Sequence, residues 1–276
     1  MRELSETLRE TRRKAAGAHA VNLPEPACPK CRDRGWRVEP DGGAGRAVRC
    51  ECQGEKRGEL LLRAAGIPHN YRHCTFSQFN TANRDQNVAD QLRRGLRLCE
   101  SYVESFYDPT RQRFRSTGLL LIGPPGVGKT HLAVAVLREL IRAYQVRGHF
   151  VDFSSLIHRV QSTFDGGSED TRTSILQEVI EAEVLVLDEL GAQKPTEWVM
   201  DQLYLIMNSR YNQRRPTIFT TNYRLELEAG QSRSSLLETR ISAQLLSRLY
   251  EMAQEVVLAG VDYRSEVKRH AHRIGG

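Results

Sequence analysis

Apolar residues in the C-terminal two thirds of the chain fall into five short blocks: "TGLLLIG" (117–123), "GHFVDFS" (148–154), "EVLVLDE" (183–189), "PTIFTTN" (216–222) and "QEVVLAG" (254–260). Blocks of this length with little alternation predict strands covered on both faces. Between them the period lengthens to that of a helix. Helices are expected over Lys129 to Tyr144, in the stretch ending at Glu181, over Thr196 to Tyr211 with Val199, Leu203 and Ile206 on one face, and over Leu236 to Met252. A further helix is expected within residues 82–106, where Val88, Leu92, Leu96 and Tyr102 or Val103 keep near-helical spacing. Strands alternating with helices predict an α/β fold, a parallel five-stranded sheet sandwiched by helices.

Upstream the pattern breaks down. From Leu23 to Arg63 the chain is rich in Pro, Gly, Cys and charge, and helical spacing returns only at "EKRGELLLRAAG". The first residues carry Leu4 and Leu8 among charges, as a short helix or a solvated tail would. The expected division is a helix or tail over 1–22, a small module over 23–63, a linker and N-terminal helices over 64–115, and the main domain over 116–276.

Composition narrows the class. Charged residues make up 27 % of the chain and hydrophobic residues 39 %, as in folded soluble proteins. No run of apolar residues is long enough to cross a bilayer, and "MRELSETLRETRRKAAGAHA" lacks the apolar stretch of a secretion signal, so a cytoplasmic location with no membrane partner is expected. The net charge of +6 suits phosphate-rich partners or simple solubility.

"GPPGVGKT" matches G-x-x-x-x-G-K-[ST] at every fixed position and sits between a strand and a helix. Its glycines let backbone N–H groups close around a phosphate, and the helix N-terminus adds a positive dipole end. Gly123, Pro124, Pro125, Gly126, Val127, Gly128, Lys129, Thr130 and His131 are the expected nucleotide-binding residues, with Lys129 on the β- and γ-phosphates of ATP and Thr130 on Mg²⁺. "VLVLDELG" ends a second strand in Asp188 and Glu189, placed for Mg²⁺ and for the attacking water respectively. Asn222 ends "FTTN" and offers an uncharged amide to orient that water. Arg248 in "ISAQLLSRLYEM" would share a helix face with Ile241 and Leu245, where a guanidinium needs a task such as reaching a neighbouring subunit's γ-phosphate, or else must snorkel to water. Arg240 is a weaker candidate for that surface, and Arg264 in "GVDYRSEV" for the chain's own nucleotide.

Cys28-x-x-Cys31 and Cys50-x-Cys52 form two close pairs suited to tetrahedral Zn²⁺, a closed and therefore structural site in a segment with few core-forming residues. His69 or His73 is a possible substitute ligand. Lys30, Arg32, Arg34, Arg37, Arg46 and Arg49 cluster with Trp36, either as a nucleic-acid surface or as a solvated basic face.

The order of phosphate loop (Walker A), Asp188–Glu189 (Walker B), Asn222 (sensor 1), "LLSRL" and "GVDYR", preceded by "GIPHNYRHCTFSQF", resembles the AAA+ ATPases, and among them the DnaC/DnaI-type helicase loaders and the related IstB transposition helper, over about residues 67–265. The resemblance implies that Arg248 is an arginine finger and Arg264 a sensor 2 residue. Few residues follow "EVVLAG", so the multi-helix lid of larger members is not expected. It further implies ATP hydrolysis, assembly into a homo-oligomer through the ATP site, a four-cysteine module that contacts a replicative hexameric helicase, and single-stranded DNA as cargo. Ser154 to Phe164 and the basic residues near Arg159 are candidates for the DNA surface. An IstB-like ATPase assisting transposition is the alternative, with a small-molecule kinase and a non-catalytic zinc adaptor behind it.

Overall fold

The structure is a computed structural model that describes residues 28–31, 36–39, 46–108, 110, 113–163, 169–193, 196–227, 232–260 and 262–263. The tail over 1–22, Arg32, Arg34, Phe164 and Arg264 lie outside the described residues. The chain divides into two compact units, Met1–Gly54 and Glu55–Gly276. In the first, β1 (Trp36–Glu39) and β2 (Arg46–Arg49) pair antiparallel with Trp36 opposite Arg49. Among its described residues, the four cysteines Cys28, Cys31, Cys50 and Cys52 form one buried cluster. Helix α1 (Glu51–Ala64) starts within this unit's residues and ends within those of the second.

In the second unit, α2 (Gln86–Glu104) and a short hairpin of β3 (Tyr107–Asp108) and β4 (Arg113–Phe114) precede the main sheet. The sheet is built from β5 (Gly118–Ile122), β6 (Gly148–Asp152), β7 (Val184–Asp188), β8 (Thr217–Thr221) and β9 (Ala253–Val257), parallel and in the order β6-β7-β8-β5-β9. The helices between them are α3 (Lys129–Tyr144), α4 (Phe153–Ser162), α5 (Glu169–Glu181), α6 (Glu197–Asn212) and α7 (Ala243–Met252). Every residue of the three central strands is buried. Successive strand side chains point to opposite faces. Leu119, Leu121, Val184, Val186 and Ile218 accordingly join one core with α2 and α3, while Leu120, Ile122, Leu185, Leu187 and Phe219 join the other with α4 to α7. No helix among the described residues is long and apolar enough to cross a membrane.

Side-chain caps start several helices where the sequence places Asp, Thr or Ser: Asp85 accepts from the amide of Asn87, Asp152 from Ser155, Thr196 from Val199 and Ser242 from Leu245. The last of these shortens the helix expected from Leu236 to Met252. Leu236 is extended and bridges to Arg224, a 3-10 turn follows over Leu237–Thr239, and α7 begins only after Ser242. Ile241 therefore lies outside the helix, and the shared face expected for Ile241 and Arg248 does not exist.

Two features fix the N-terminal ends of the strands. A Cβ on Gly118 would lie 1.8 Å from the carbonyl oxygen of Thr217, so β5 and β8 approach as closely as they do only because residue 118 has no side chain. Arg210 of α6 is fully buried. It donates to Thr217 Oγ1 at 2.8 Å, to the carbonyls of Val179, Ile180 and Ala182 at 3.1, 3.0 and 2.8 Å, and to that of Pro216 at 2.8 Å. One guanidinium thus satisfies the orphan carbonyls at the end of α5 and ties them to the start of β8. Burial pulls its pKa down to about 9, which leaves it charged at neutral pH.

Arg210→Met strands those carbonyls without donors and is expected to lower unfolding free energy by roughly 3 kcal/mol or more. Urea denaturation followed by circular dichroism measures this, and an unchanged midpoint would contradict the bracing role.

Candidate functional site

The turn after β5 carries the phosphate-loop motif. Gly126 and Gly128 have φ of 76° and 101°, a region open to glycine and strained for other residues. A Cβ would meet Asp262 at 1.8 Å in the first case and the Phe79 ring at 2.6 Å in the second. Helix α3 opens directly after Gly128, so the N–H groups of its first turn face the loop. Lys129 is buried, and its Nζ donates to the carbonyls of Gly123 at 2.9 Å and Pro124 at 2.8 Å, holding the ammonium against the loop it would share with a phosphate.

Strand order decides what lies beside this loop. β8 stands between β5 and β7, so its end bridges the two motifs. Asp188, buried at the end of β7, accepts from Thr130 Oγ1 at 3.0 and 3.2 Å and from Thr220 Oγ1 at 2.6 Å. Thr220 Oγ1 in turn accepts from the amide of Glu189 at 3.0 Å. Burial pushes the Asp188 carboxyl up to about 6, against the pull of the two hydroxyls and helped by the nearby charges of Glu189 and Asp152. Glu189 is exposed, with a φ of 59° that is uncommon outside glycine. The following turn is tied to β8 through Leu190 N to Thr220 O at 2.8 Å and Thr221 Oγ1 to Leu190 O at 2.8 Å.

These residues surround a cavity of about 230 Å³ whose lining includes Lys129, Thr130, Glu189, Asn222 and, from the segment before α2, Tyr71 and His73. A smaller recess of about 110 Å³ adjoins it at Gly126 and Gly128, walled by Phe79, Leu92 and Val127. His131 faces both, but its Nε2 is 2.8 Å from the carbonyl oxygen of Thr75 and its ring tilts against Phe79. Burial lowers its pKa, which favours a neutral imidazole. Sequence reading gave no role to Thr220, Phe79 or Asp262. The only signal for the first was its place beside Asn222 in "FTTN", and for the second its place in the segment that carries the family resemblance.

The arginines divide. Arg248 turns toward α6, donating to Asn208 Oδ1, with its guanidinium 4.8 Å from the Tyr204 ring centre and 5.9 Å from that of Tyr211. It does not line the phosphate-loop cavity of its own chain. Arg240 stacks on Tyr223 and donates to the carbonyls of Gly191, Ala192 and Gln193 at 2.8, 3.3 and 3.0 Å, so its donors hold the turn after β7. Next to the undescribed Arg264, Tyr263 packs on the phosphate loop through its amide and the Gly126 carbonyl at 3.3 Å.

In the first unit the four sulfurs of Cys28, Cys31, Cys50 and Cys52 lie within 4.8 Å of one another. Cys28–Cys50 and Cys31–Cys52 are 3.8 and 3.2 Å apart, the first at and the second below the roughly 3.8 Å edge of a Zn–S₄ tetrahedron. The arrangement is compatible with zinc. His73 lines the phosphate-loop cavity of the second unit.

A five-stranded parallel sheet in this order, with a phosphate loop after its second-to-edge strand and an acidic pair after β7, defines a P-loop NTPase of the AAA+ class. The chain belongs to the family described as IstB-like ATP binding protein, whose model matches residues 56–271. The phage-like element PBSX protein XkdC of Bacillus subtilis is 26 % identical over 90 % of this chain and 86 % of its own length. An ATP-binding protein of insertion sequence IS21 from Pseudomonas aeruginosa is 31 % identical over 57 % of this chain and 56 % of its own length. Among solved structures, the DnaC helicase loader superposes with a TM-score of 0.57 at 31 % identity, covering 69 % of this chain and 99 % of that one.

Thr220→Val keeps the side-chain shape but removes the hydroxyl that links Asp188 to the Glu189 amide. Mg²⁺-dependent ATP hydrolysis is expected to fall at least tenfold, and the thermal midpoint to drop by a few degrees because a buried carboxylate loses a donor; wild-type turnover in a steady-state assay would contradict the linking role.

Proposed function

We propose that this chain is an ATPase that loads a ring-shaped, DnaB-type replicative helicase onto single-stranded DNA, with ATP hydrolysis releasing the partner. The observation that carries the enzymatic part is the meeting of Thr130, Asp188 and Thr220 at the mouth of the phosphate loop. Lys129 would hold the β- and γ-phosphates, and Thr130 and Asp188 would hold Mg²⁺, which supplies charge neutralisation on the transferred phosphoryl group. Glu189, exposed in the cavity on a turn fixed to β8, would orient the attacking water together with Asn222. The recess beside Phe79 would take the nucleobase. Arg264 is kept as a candidate contact to the chain's own nucleotide.

Arg248 would act on the nucleotide of an adjacent copy. Its place on α7, away from its own phosphate loop and half-buried against two tyrosines, supports that role. The shared site would give the homo-oligomer its dependence on the γ-phosphate. Zinc on Cys28, Cys31, Cys50 and Cys52 would be structural, holding together a small unit whose described buried residues are the ligands themselves. That unit would carry the helicase contact, at work in the cytoplasm. The helicase-loader reading draws on the similarity to the DnaC loader and on this unit. The likeness to an insertion-sequence ATP-binding protein favours a second reading, in which the same engine assists transposition on target DNA.

Glu189→Gln is expected to bind ATP but stall before hydrolysis, and so to retain its client. Mass spectrometry of proteins co-purified with this variant and ATP should recover a hexameric helicase. Recovery of a transposase instead would overturn the loader reading in favour of the second one.

A further inference from the structure

At the opposite end of the sheet from the phosphate loop, the chain entering β5 and the β3–β4 hairpin border a cleft of about 750 Å³. A recess of about 410 Å³ shares Phe114, Arg115 and Arg214 with it and extends to the residues just before β6, β7 and β8. Arg113, Arg115 and Arg214 line the cleft and Arg57, Arg147 and Arg215 the recess, against the carboxylates of Glu104, Asp108 and Glu183. Six cations facing three anions make the surface electropositive at every pH where carboxylates ionise. Arg147 and Arg215 are partly committed, to Glu183 at 3.6 Å and to the carbonyl of Ile180 at 3.0 Å. Arg113 and Arg214 are exposed. Arg214 sits at φ 52° in the turn between α6 and β8, a conformation uncommon for arginine.

Among these cations stands an aromatic ring that a soluble surface would ordinarily bury. Phe114 is 47 % exposed, yet it is held from behind by Tyr107, Phe106 and Tyr144 at centroid distances of 5.2, 5.4 and 5.9 Å. Phe106 is itself buried, and the Tyr144 hydroxyl donates to the carbonyl of Val103 at 2.8 Å. The ring is therefore backed by packed aromatics and partly open to solvent. Aromatic surface beside arginines is what unpaired bases and their phosphates require: the base stacks and the backbone is neutralised. A duplex keeps its bases stacked on each other and cannot use the ring.

We infer that this cleft binds single-stranded nucleic acid, with Phe114 carrying a stacked base and Arg113, Arg115 and Arg214 taking backbone phosphates. The site is separate from the nucleotide cavity and from the stretch around Arg159, and it does not depend on which client the ATPase serves.

The test is fluorescence anisotropy of a labelled oligo(dT) of about twenty nucleotides, longer than one such site needs, on the full-length protein. Phe114→Ala is expected to weaken binding about tenfold. The pair Arg113→Glu and Arg214→Glu is expected to weaken it more and to flatten the slope of log affinity against log salt by about 1.4, as two lost phosphate contacts require. The charge-matched pair Arg63→Glu and Arg94→Glu, exposed on α1 and α2, should stay within about twofold. Ultraviolet cross-linking of wild-type protein to a bromodeoxyuridine oligonucleotide, which needs no variant to fold, should mark peptides within 104–117 or 213–216. Equal losses in the two charge pairs, a preference for duplex, or displacement by an acidic peptide with no cross-link to these segments would overturn the site. Oligonucleotide binding that cross-links only elsewhere overturns the cleft and leaves the loader reading standing, whereas no binding in any nucleotide state overturns both.

Discussion

A carboxylate buried at the end of a strand is expensive unless its lone pairs find donors, and the engine of this protein is arranged around one such group. Asp188 is supplied by two threonine hydroxyls that arrive from different elements, Thr130 from the helix after the phosphate loop and Thr220 from β8. The sheet order makes this possible, since β8 alone touches both β5 and β7. The same hydroxyl of Thr220 accepts the Glu189 amide, so one side chain sets the position of both acids. The opposing effects of burial and hydrogen bonding leave Asp188 near 6, a group poised to gain from a cation held between it and Thr130.

The other end of the sheet is organised by the opposite charge. Arg210 is buried among carbonyls and closes the end of α5 onto β8, and the arginines of the neighbouring turns face solvent around Phe114. The molecule thus presents an acidic pair beside a phosphate loop at the C-terminal edge of its strands and a cationic, aromatic cleft at the N-terminal edge. A parallel sheet separates these edges by one strand length and aligns every strand the same way. Two anionic ligands, one small and one extended, could then be held by one rigid layer without competing.

The phosphate loop was legible because its residues are contiguous and each is demanded by contact with phosphate. The five strands were legible from their apolar blocks, although only the three central ones are buried throughout and the edge strands β6 and β9 are partly exposed, and the cysteine pairs because each half of the site is local. What could not be read depends on which distant segments meet. Thr220 is 32 residues from the carboxylate it serves, so its role follows from strand order alone. Arg248 looked anomalous on the face of an uninterrupted helix, whereas the Ser242 cap and the extended Leu236 break that helix and let the guanidinium settle on Tyr204. The arginine cleft collects residues from the starts of four strands, and no local pattern marks it.

The dependence on Asp188 is tested most directly by calorimetric titration of a slowly hydrolysed ATP analogue into the full-length protein with and without Mg²⁺, for the wild type and for Asp188→Asn. The wild type should bind at least tenfold more tightly with Mg²⁺, and the variant should bind as the wild type does without it. A Mg²⁺ gain of the same size in Asp188→Asn would show that the carboxylate is not the metal-holding group, and the account of the site would fail.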